Sequence, residues 1–586
     1  MGVYTTRGAM QVLLAVALGP VAISGCQAGP QAVDPQAQRV RINQVGFLPG
    51  AQKLAVVEGG AAQFRVLAEG RRKPVLEGQL EQPATWDPAG VEAAVADLGA
   101  LVAPGRYRLQ VEGLPPSDPF VVDADAYGEV TLAALKAFYF NRAGTALDPD
   151  HAGQWARAAG HADDAVVVHA SAASPGRPAG STFPASRGWY DAGDYGKYIV
   201  NSGISTWTLL AAWEHYPEFF GDRQTGIPES GDAVPDILDE AMWNLQWMLA
   251  MQDPADGGVY HKLTTLQFSG VVMPHEDTAP RYVVAKSTAA ALDFAAVMAM
   301  ASRVYAPFEA QFPGLPGRMA AAARSAWAWA QANPEVIYRQ PEDVGTGAYG
   351  DTHLEDEFAW AAAELYLLEG EAAYWDAFGR HAGTPDVPSW AGVRTLGWIS
   401  LAQHLQRLPD DAARSQVSDG VLQLARQLQA QEAQSAWRVA MQAEDFRWGS
   451  SSTVLNQALV MLQGYRLDGG RDLLDAAQSQ LDWVLGRNPL GVSLVTGHGL
   501  RTPMQVHHRP SMADGIDAPV PGWLSGGPNP GQQDAGDCPQ PYPSARPALS
   551  WLDHDCSYAS NEVAINWNAP LVYVAAAVQA LTPEPR

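Results

Sequence analysis

Gly188-Trp189-Tyr190-Asp191-Ala192-Gly193-Asp194-Tyr195-Gly196-Lys197-Tyr198 sets two carboxylates three residues apart in a segment otherwise rich in aromatic residues and glycine. In a helical turn both side chains would project to the same side. Glycine between them lets the backbone pass closely by a ligand. The aromatics offer apolar faces to a flat ligand such as a sugar ring. Alone, the pattern also reads as a helix N-cap with a solvated neighbour. A third carboxylate in a comparable setting shifts that reading. One lies far downstream, in Tyr558-Ala559-Ser560-Asn561-Glu562-Val563-Ala564-Ile565-Asn566-Trp567-Asn568-Ala569-Pro570.

Outward from this stretch the pattern is helical from Tyr127 to the C-terminus. Between Pro235 and Met251, residues Ile237, Leu238, Ala241, Met242, Leu245, Met248 and Leu249 form one stripe at helical spacing. Asp232 is a candidate cap and Pro235 suits a first turn. Similar stretches fall at 128–142, 202–216, 285–306, 315–333, 355–368, 370–381, 390–407, 411–433, 451–467, 470–486 and 569–582, about twelve in all. The long Gly/Pro-rich segments 160–188, 253–284 and 488–560 separate some of them, and loops of that length inside a compact domain are usually functional. Twelve helices in antiparallel pairs can close into a six-hairpin toroid with a cleft at one rim. No repeat of solenoid length is visible.

Before Tyr127 the period is two. Val40-Arg41-Ile42-Asn43-Gln44-Val45, Gln63-Phe64-Arg65-Val66-Leu67 and Arg106-Tyr107-Arg108-Leu109-Gln110-Val111 alternate apolar and polar residues between Gly and Pro clusters. That predicts a small antiparallel sandwich ending near Val121-Val122-Asp123.

The first 25 residues read as an export signal: Arg7, then the apolar run from Val12 to Leu18, then Ile23-Ser24-Gly25-Cys26. Small residues directly before a cysteine resemble a bacterial lipobox, with Cys26 the lipidated first residue. Gln27 after it resembles an outer-membrane address. An ordinary signal peptide with an incidental cysteine is the plainer alternative. Residues 27–38 are polar and Pro-containing, as a tether is. No other apolar run of 18 residues stands out, so the remainder is expected to be soluble. The remaining cysteines, Cys538 and Cys556, allow one disulfide in an oxidising compartment. A net charge of −25 disfavours nucleic acid and suits a neutral substrate.

A third cluster, Gly497-His498-Gly499-Leu500-Arg501-Thr502-Pro503-Met504-Gln505-Val506-His507-His508-Arg509, supplies His507 and Arg509 as donors for sugar hydroxyls. The three ordered clusters together resemble glycoside hydrolase family 9, the inverting cellulases and related β-glucanases. Gly188–Asp194 looks like the family's catalytic-base segment. His507 and Arg509 fall on its histidine-x-arginine signature. Trp551, Asp553, Tyr558, Glu562, Ala564, Asn568 and Ala569 fit its second signature. Val40–Pro49 resembles the immunoglobulin-like domain that precedes many of these catalytic domains. With the signal over 1–25 and the tether over 26–38, the resemblance implies an immunoglobulin-like sandwich over 39–124 and an (α/α)6 catalytic domain over 125–586.

It also implies roles. Asp194 is the expected general base, Asp191 its helper in holding the attacking water, and Glu562 the general acid. Tyr190, His507, Arg509, Asp553, Tyr558 and Trp567 are the expected substrate-binding residues. Acetal hydrolysis needs one carboxyl protonated to expel the leaving oxygen and another ionised to activate water. No cofactor is required for that. Relatives often bind structural calcium, for which Thr346, Asp351 and Asp356 offer hard oxygen ligands. The absence of cysteine between 27 and 537 argues against a Cys-based zinc site there. The expected protein is a monomeric, exported hydrolase of β-1,4-glucan or cello-oligosaccharides, lipid-anchored with a bacterial outer-membrane address. An exo-acting β-glucosidase or β-glucosaminidase, and a non-catalytic glycan-binding lipoprotein, remain the alternatives.

Overall fold

The computed structural model describes residues 38–59 and 62–585. The signal segment, Cys26 and the tether up to residue 37 lie outside the described residues.

Eight strands come first: β1 (Val40–Arg41), β2 (Leu54–Glu58), β3 (Gln63–Ala68), β4 (Leu76–Gln79), β5 (Ala84–Trp86), β6 (Val91–Asp97), β7 (Gly105–Val111) and β8 (Phe120–Val122). They form two antiparallel sheets, ordered β1-β2-β6-β5 and β4-β3-β7-β8. Alternation along β3 and β7 buries Phe64, Val66, Tyr107, Leu109 and Val111 between the sheets and leaves their neighbours facing outward. β1 stops after two residues. There the Asn43 side chain takes the N–H groups of Val45 and Gly46 and donates to Asp482 of the helical region at 2.7 Å. The sequence alternation runs on to Val45, but a side chain has replaced the strand partner.

Among the described residues, twelve helices have ten or more residues. In chain order they are α1 (Gly128–Phe140), α2 (Ile199–His215), α3 (Asp236–Ala250), α4 (Thr288–Tyr305), α5 (Leu315–Ala332), α6 (Glu355–Glu369), α7 (Ala372–His381), α8 (Arg394–Gln403), α9 (Asp411–Gln434), α10 (Ser450–Asp468), α11 (Arg471–Val484) and α12 (Ile565–Leu581). The even-numbered helices pack in a ring, and each odd-numbered one backs it from outside. This is the (α/α)6 toroid. Inner helices are buried on nearly every face, and alanine-rich α4 and α12 allow close approach of neighbours. Residues Thr288–Phe308, spanning α4, are long and apolar enough to cross a membrane, yet the segment lies inside the ring. Outer α7 and α9 bury only one stripe each. Asp232 does not cap α3. Its carboxylate takes the Val234 N–H instead, and Pro235 stands at the cap position.

α12 contains Pro570, six residues into the helix. Proline cannot bond the carbonyl four residues back. That carbonyl, of Asn566, accepts from the Ser452 hydroxyl of α10 at 3.4 Å. The helix therefore begins at Ile565, four residues earlier than the sequence pattern predicts.

The segments 160–188 and 253–284, which read as loops, supply most of a five-stranded sheet: β9 (Val166–Val168), β10 (Thr182–Phe183), β11 (Lys197–Tyr198), β12 (Tyr260–Thr264) and β13 (Tyr282–Lys286), in the order β10-β9-β13-β12-β11, with β11 outside them and β13 running into the stretch 285–306 that reads as helical. β11 immediately follows Asp194. Its pairing with β12 aligns Tyr198 opposite Lys262.

Candidate active site

The segment from Asp191 to Gly196 is not helical. It closes on itself, with the Asp191 N–H donating to the Gly196 carbonyl at 3.0 Å and the Gly196 N–H to Asp194 Oδ2 at 2.9 Å. The two carboxylates thus share one cleft through a tight bend rather than a helical face. Gly193 sits at its centre. A Cβ there would meet the His507 carbonyl at 2.4 Å and Glu562 Oε1 at 3.1 Å, so only glycine lets the three sequence clusters converge. The Gly193 N–H donates to Glu562 Oε1 at 3.3 Å, and its carbonyl accepts from the Arg509 N–H at 3.1 Å and Nη1 at 2.8 Å.

Asp191, Asp194 and Glu562 line a cleft of about 910 Å³, together with His507, Arg509, Tyr558 and Trp567. Asp191 is buried. Asn201 donates to its Oδ1 at 2.5 Å and the Tyr349 hydroxyl to its Oδ2 at 2.6 Å. Burial, and next the Asp194 charge, push the Asp191 carboxyl up to about 8 despite those donors. Asp194 accepts from the Tyr198 hydroxyl at 3.2 Å.

Glu562 directly follows a short helical turn, Tyr558–Asn561. Its carboxyl is pushed well above the usual range by burial and then by the Asp194 carboxylate, against the Gly193 N–H. Its neighbours along the chain divide. Tyr558 and Trp567 face the cleft, whereas Val563 and Ile565 turn into the core. A proton held on Glu562 and a charge on Asp194 supply the acid and the anion that acetal hydrolysis asks for.

His507 is expected to donate; the structure gives it the opposite role. Its Nδ1 lies 2.6 Å from the Asp555 carbonyl, which only accepts, so that nitrogen carries the proton. Burial lowers its pKa, which keeps the ring neutral and leaves Nε2 an acceptor. Arg509 commits Nε to the Ser269 carbonyl at 3.0 Å and Nη1 to Gly193, tying the 265–280 segment to the carboxylate bend.

Two expected substrate contacts do not reach the cleft. Tyr190 is buried behind it, packed on Tyr195, with its hydroxyl 2.8 Å from His161 Nδ1. Asp553 takes the N–H groups of Met504 and Gln505 and the Asn561 amide, so it splices the His507 segment to the Glu562 segment. Sequence reasoning missed Tyr349, Trp390, Trp448 and Phe268, all on the cleft wall. Trp448 stacks near Tyr558 with centroids 5.4 Å apart, and Trp390 meets Tyr349 edge-on at 5.0 Å. Trp448 and Phe268 are exposed large aromatics, a sign of a binding surface that single residues in sequence do not give.

The calcium expectation changes composition. The Thr346 hydroxyl accepts from Lys262 Nζ at 3.1 Å, so a cation is already beside it and it does not fit a metal ligand. Asp351 and Asp356 stand with Asp293 of α4 and Glu357 of α6, whose charges act on one another. Both Asp293 carboxylate oxygens, Asp351 Oδ2 and Glu357 Oε2 are buried without a hydrogen-bond partner. Orphaned buried carboxylate oxygens are what a divalent cation would satisfy. A second grouping, His554, Asp555 and Cys556, includes a cysteine that is bonded to Cys538 and has no thiolate to offer a metal.

With this geometry the chain belongs to glycosyl hydrolase family 9, whose model matches residues 127–575. The cellulase N-terminal immunoglobulin-like domain model matches residues 35–115. The chain is 41% identical over 560 residues to a xyloglucan-specific endo-β-1,4-glucanase of Bacteroides ovatus, covering 92% of this chain and 94% of the relative. A solved Bacteroides ovatus structure of the family superposes with a TM-score of 0.86 at 40% identity, covering 93% of this chain and 99% of the other. A thermostable endoglucanase from Alicyclobacillus acidocaldarius, solved as a single mutant, gives 0.84 at 33% identity, covering 92% and 99%.

Proposed function

We propose that the protein is an inverting endo-β-1,4-glucanase in which Asp194 is the general base, Asp191 steadies the attacking water and Glu562 is the general acid. The observation that carries this is the convergence of the three carboxyl groups on one aromatic-walled cleft. Water held at Asp194 gives its proton to that carboxylate while its oxygen attacks the anomeric carbon. Glu562 gives its proton to the glycosidic oxygen, which leaves from the opposite face. One C–O bond forms, one breaks, and the new hemiacetal has inverted configuration. The neutral His507 Nε2 accepts from a sugar hydroxyl, and Tyr558, Trp448 and Trp567 offer faces for stacking.

The substrate is a β-1,4-glucan. The xyloglucan specificity named for the Bacteroides relative makes a branched glucan a candidate beside cellulose. A product profile on β-glucans, xyloglucan, cello-oligosaccharides and chito-oligosaccharides tests this. Internal cuts support the reading, and release of single sugars from one end would replace it with an exo-acting enzyme.

The domain boundaries 39–124 and 125–586 belong to the same reading, supported by β1–β8 lying before Asp123 and the helices starting at Gly128. Asp293, Asp351, Asp356 and Glu357 would hold a structural calcium ion and contribute folding energy rather than chemistry. Chelation should then lower Tm without altering the products, and an unchanged Tm speaks against it. Export and lipid anchoring at Cys26 rest on the small residues preceding that cysteine. If the anchor is real, Cys26→Ala releases the protein from the membrane fraction; unchanged fractionation rejects it.

A further inference from the structure

Two consecutive residues of β12 grip consecutive carbonyls of the cleft wall. His261 Nε2 lies 2.9 Å from the Ala348 carbonyl, and Lys262 Nζ donates to the Gly347 carbonyl at 2.7 Å. Lys262 is fully buried, and its ammonium also donates to Gln340 Oε1 at 3.0 Å and to the Thr346 hydroxyl at 3.1 Å. Two of these three partners, the Gly347 carbonyl and Gln340 Oε1, only accept, so the Lys262 nitrogen serves them as a donor. Burial pulls Lys262 down to about 7, and the Asp194 carboxylate is the charge that opposes it.

The segment so held is part of the reaction site. Gly347, Ala348 and Tyr349 line the cleft. The Tyr349 hydroxyl bonds Asp191, and its ring lies 4.7 Å from that of Tyr198, whose hydroxyl bonds Asp194. A Cβ on Gly347 would meet the Tyr198 hydroxyl at 3.1 Å, so this backbone is pressed onto the base's own hydrogen-bond donor. Tyr198 in turn pairs with Lys262 across β11 and β12.

We infer that Lys262 is a positioning residue for hydrolysis: its buried ammonium fixes residues 346–349, and through them Tyr349 and Tyr198 orient both carboxylates of the base pair. An ammonium on β12 does for this segment what a bound metal ion would do, with a cation the chain supplies itself. The inference rests on the roles proposed for Asp191 and Asp194.

Lys262→Met keeps the length and removes charge and donors. Misplacing a catalytic group by an ångström costs about 10²-fold, so kcat on soluble β-glucan should fall by that order while KM stays within about twofold. If Lys262 acts through Tyr349, the losses of Lys262→Met and Tyr349→Phe should not multiply in the double variant. An unchanged kcat, or losses that multiply, would overturn the inference. Asp194→Asn is measured alongside. If it retains activity, the base assignment itself has failed. If it is inactive while Lys262→Met is normal, only the present inference has. Should Lys262→Met not fold, Thr346→Val removes one acceptor and leaves the cation buried. The same split, a lower kcat at constant KM, is expected, and a normal kcat rejects the inference.

Discussion

The two sides of the cleft hold their carboxyl groups by different means. On the base side, the bend at Asp191–Gly196 runs into β11 and is braced by buried charge. Asp163 pairs with Lys197 at 2.7 Å and with Arg281 at 2.8 Å, and Arg281 also donates to the Tyr195 carbonyl at 2.8 Å. All three side chains are almost wholly shielded from water. On the acid side, Glu562 follows a long segment with little regular structure. Cys538 is bonded to Cys556, with Cα atoms 5.3 Å apart, and Asp534 accepts from the Ala559 N–H at 2.6 Å. Asp553 and Asn529 make further splices within and beside it. One side is fixed by ion pairs in a sheet. The other is a loop tied by a covalent bond and side chains that cap its backbone. The pair of carboxyl groups on one bend has rigid, charge-rich backing, whereas the lone acid sits in a shielded place beside a stapled loop.

Removing the groups themselves has the largest expected effect. Glu562→Gln should cost about 10²–10⁴-fold on natural glucans, because no proton reaches the leaving oxygen. It should cost much less on aryl glycosides, whose leaving group needs little protonation. Asp194→Asn should impair both substrate types alike, because water must be activated whatever leaves. Equal losses for Glu562→Gln on both substrates would erase the distinction between the two sides.

Next comes the base-side brace. Asp163→Asn leaves Lys197 and Arg281 as buried cations without their partner, a change worth about 3–5 kcal/mol. A fall in Tm accompanied by loss of kcat is expected, since the segment that moves carries Asp194. A stable, fully active variant would show that the ion pairs do not set the geometry.

The acid-side staple should matter less to chemistry. Replacing both Cys538 and Cys556 by serine removes a cross-link whose closure of an 18-residue separation contributes about 3 kcal/mol. Urea unfolding should register that loss. KM should rise more than kcat falls, because Tyr558, which packs on Trp448 of the cleft wall, closely follows the stapled loop, while Glu562 is also held by Gly193. A kcat loss as large as that of Asp163→Asn would equate the two sides.

What the sequence disclosed follows the same divide. The twelve helices were legible because each buries a stripe or a whole surface, and periodicity reports burial. Asp191, Asp194, His507 and Glu562 were legible because their flanking residues must also meet at Gly193, which leaves short dense motifs. The five-stranded sheet was not, since its strands are two to five residues long and their partners lie far apart in sequence. For that reason Lys262 and Arg281 passed unremarked, and Thr346 looked like a metal ligand when its partner was a lysine of β12. Tyr190 and Asp553 sit inside the motifs yet face away from the cleft. A motif records proximity to the site but not the direction of each side chain.

The division of roles between Asp194 and Glu562 is read most directly by stereochemistry. Proton NMR of freshly cleaved cello-oligosaccharide, taken before mutarotation, should show the α-anomer as the first product at the new reducing end. A first-formed β-anomer would mean retention through a covalent intermediate, and would contradict the assignment of Asp194 as a base acting on water.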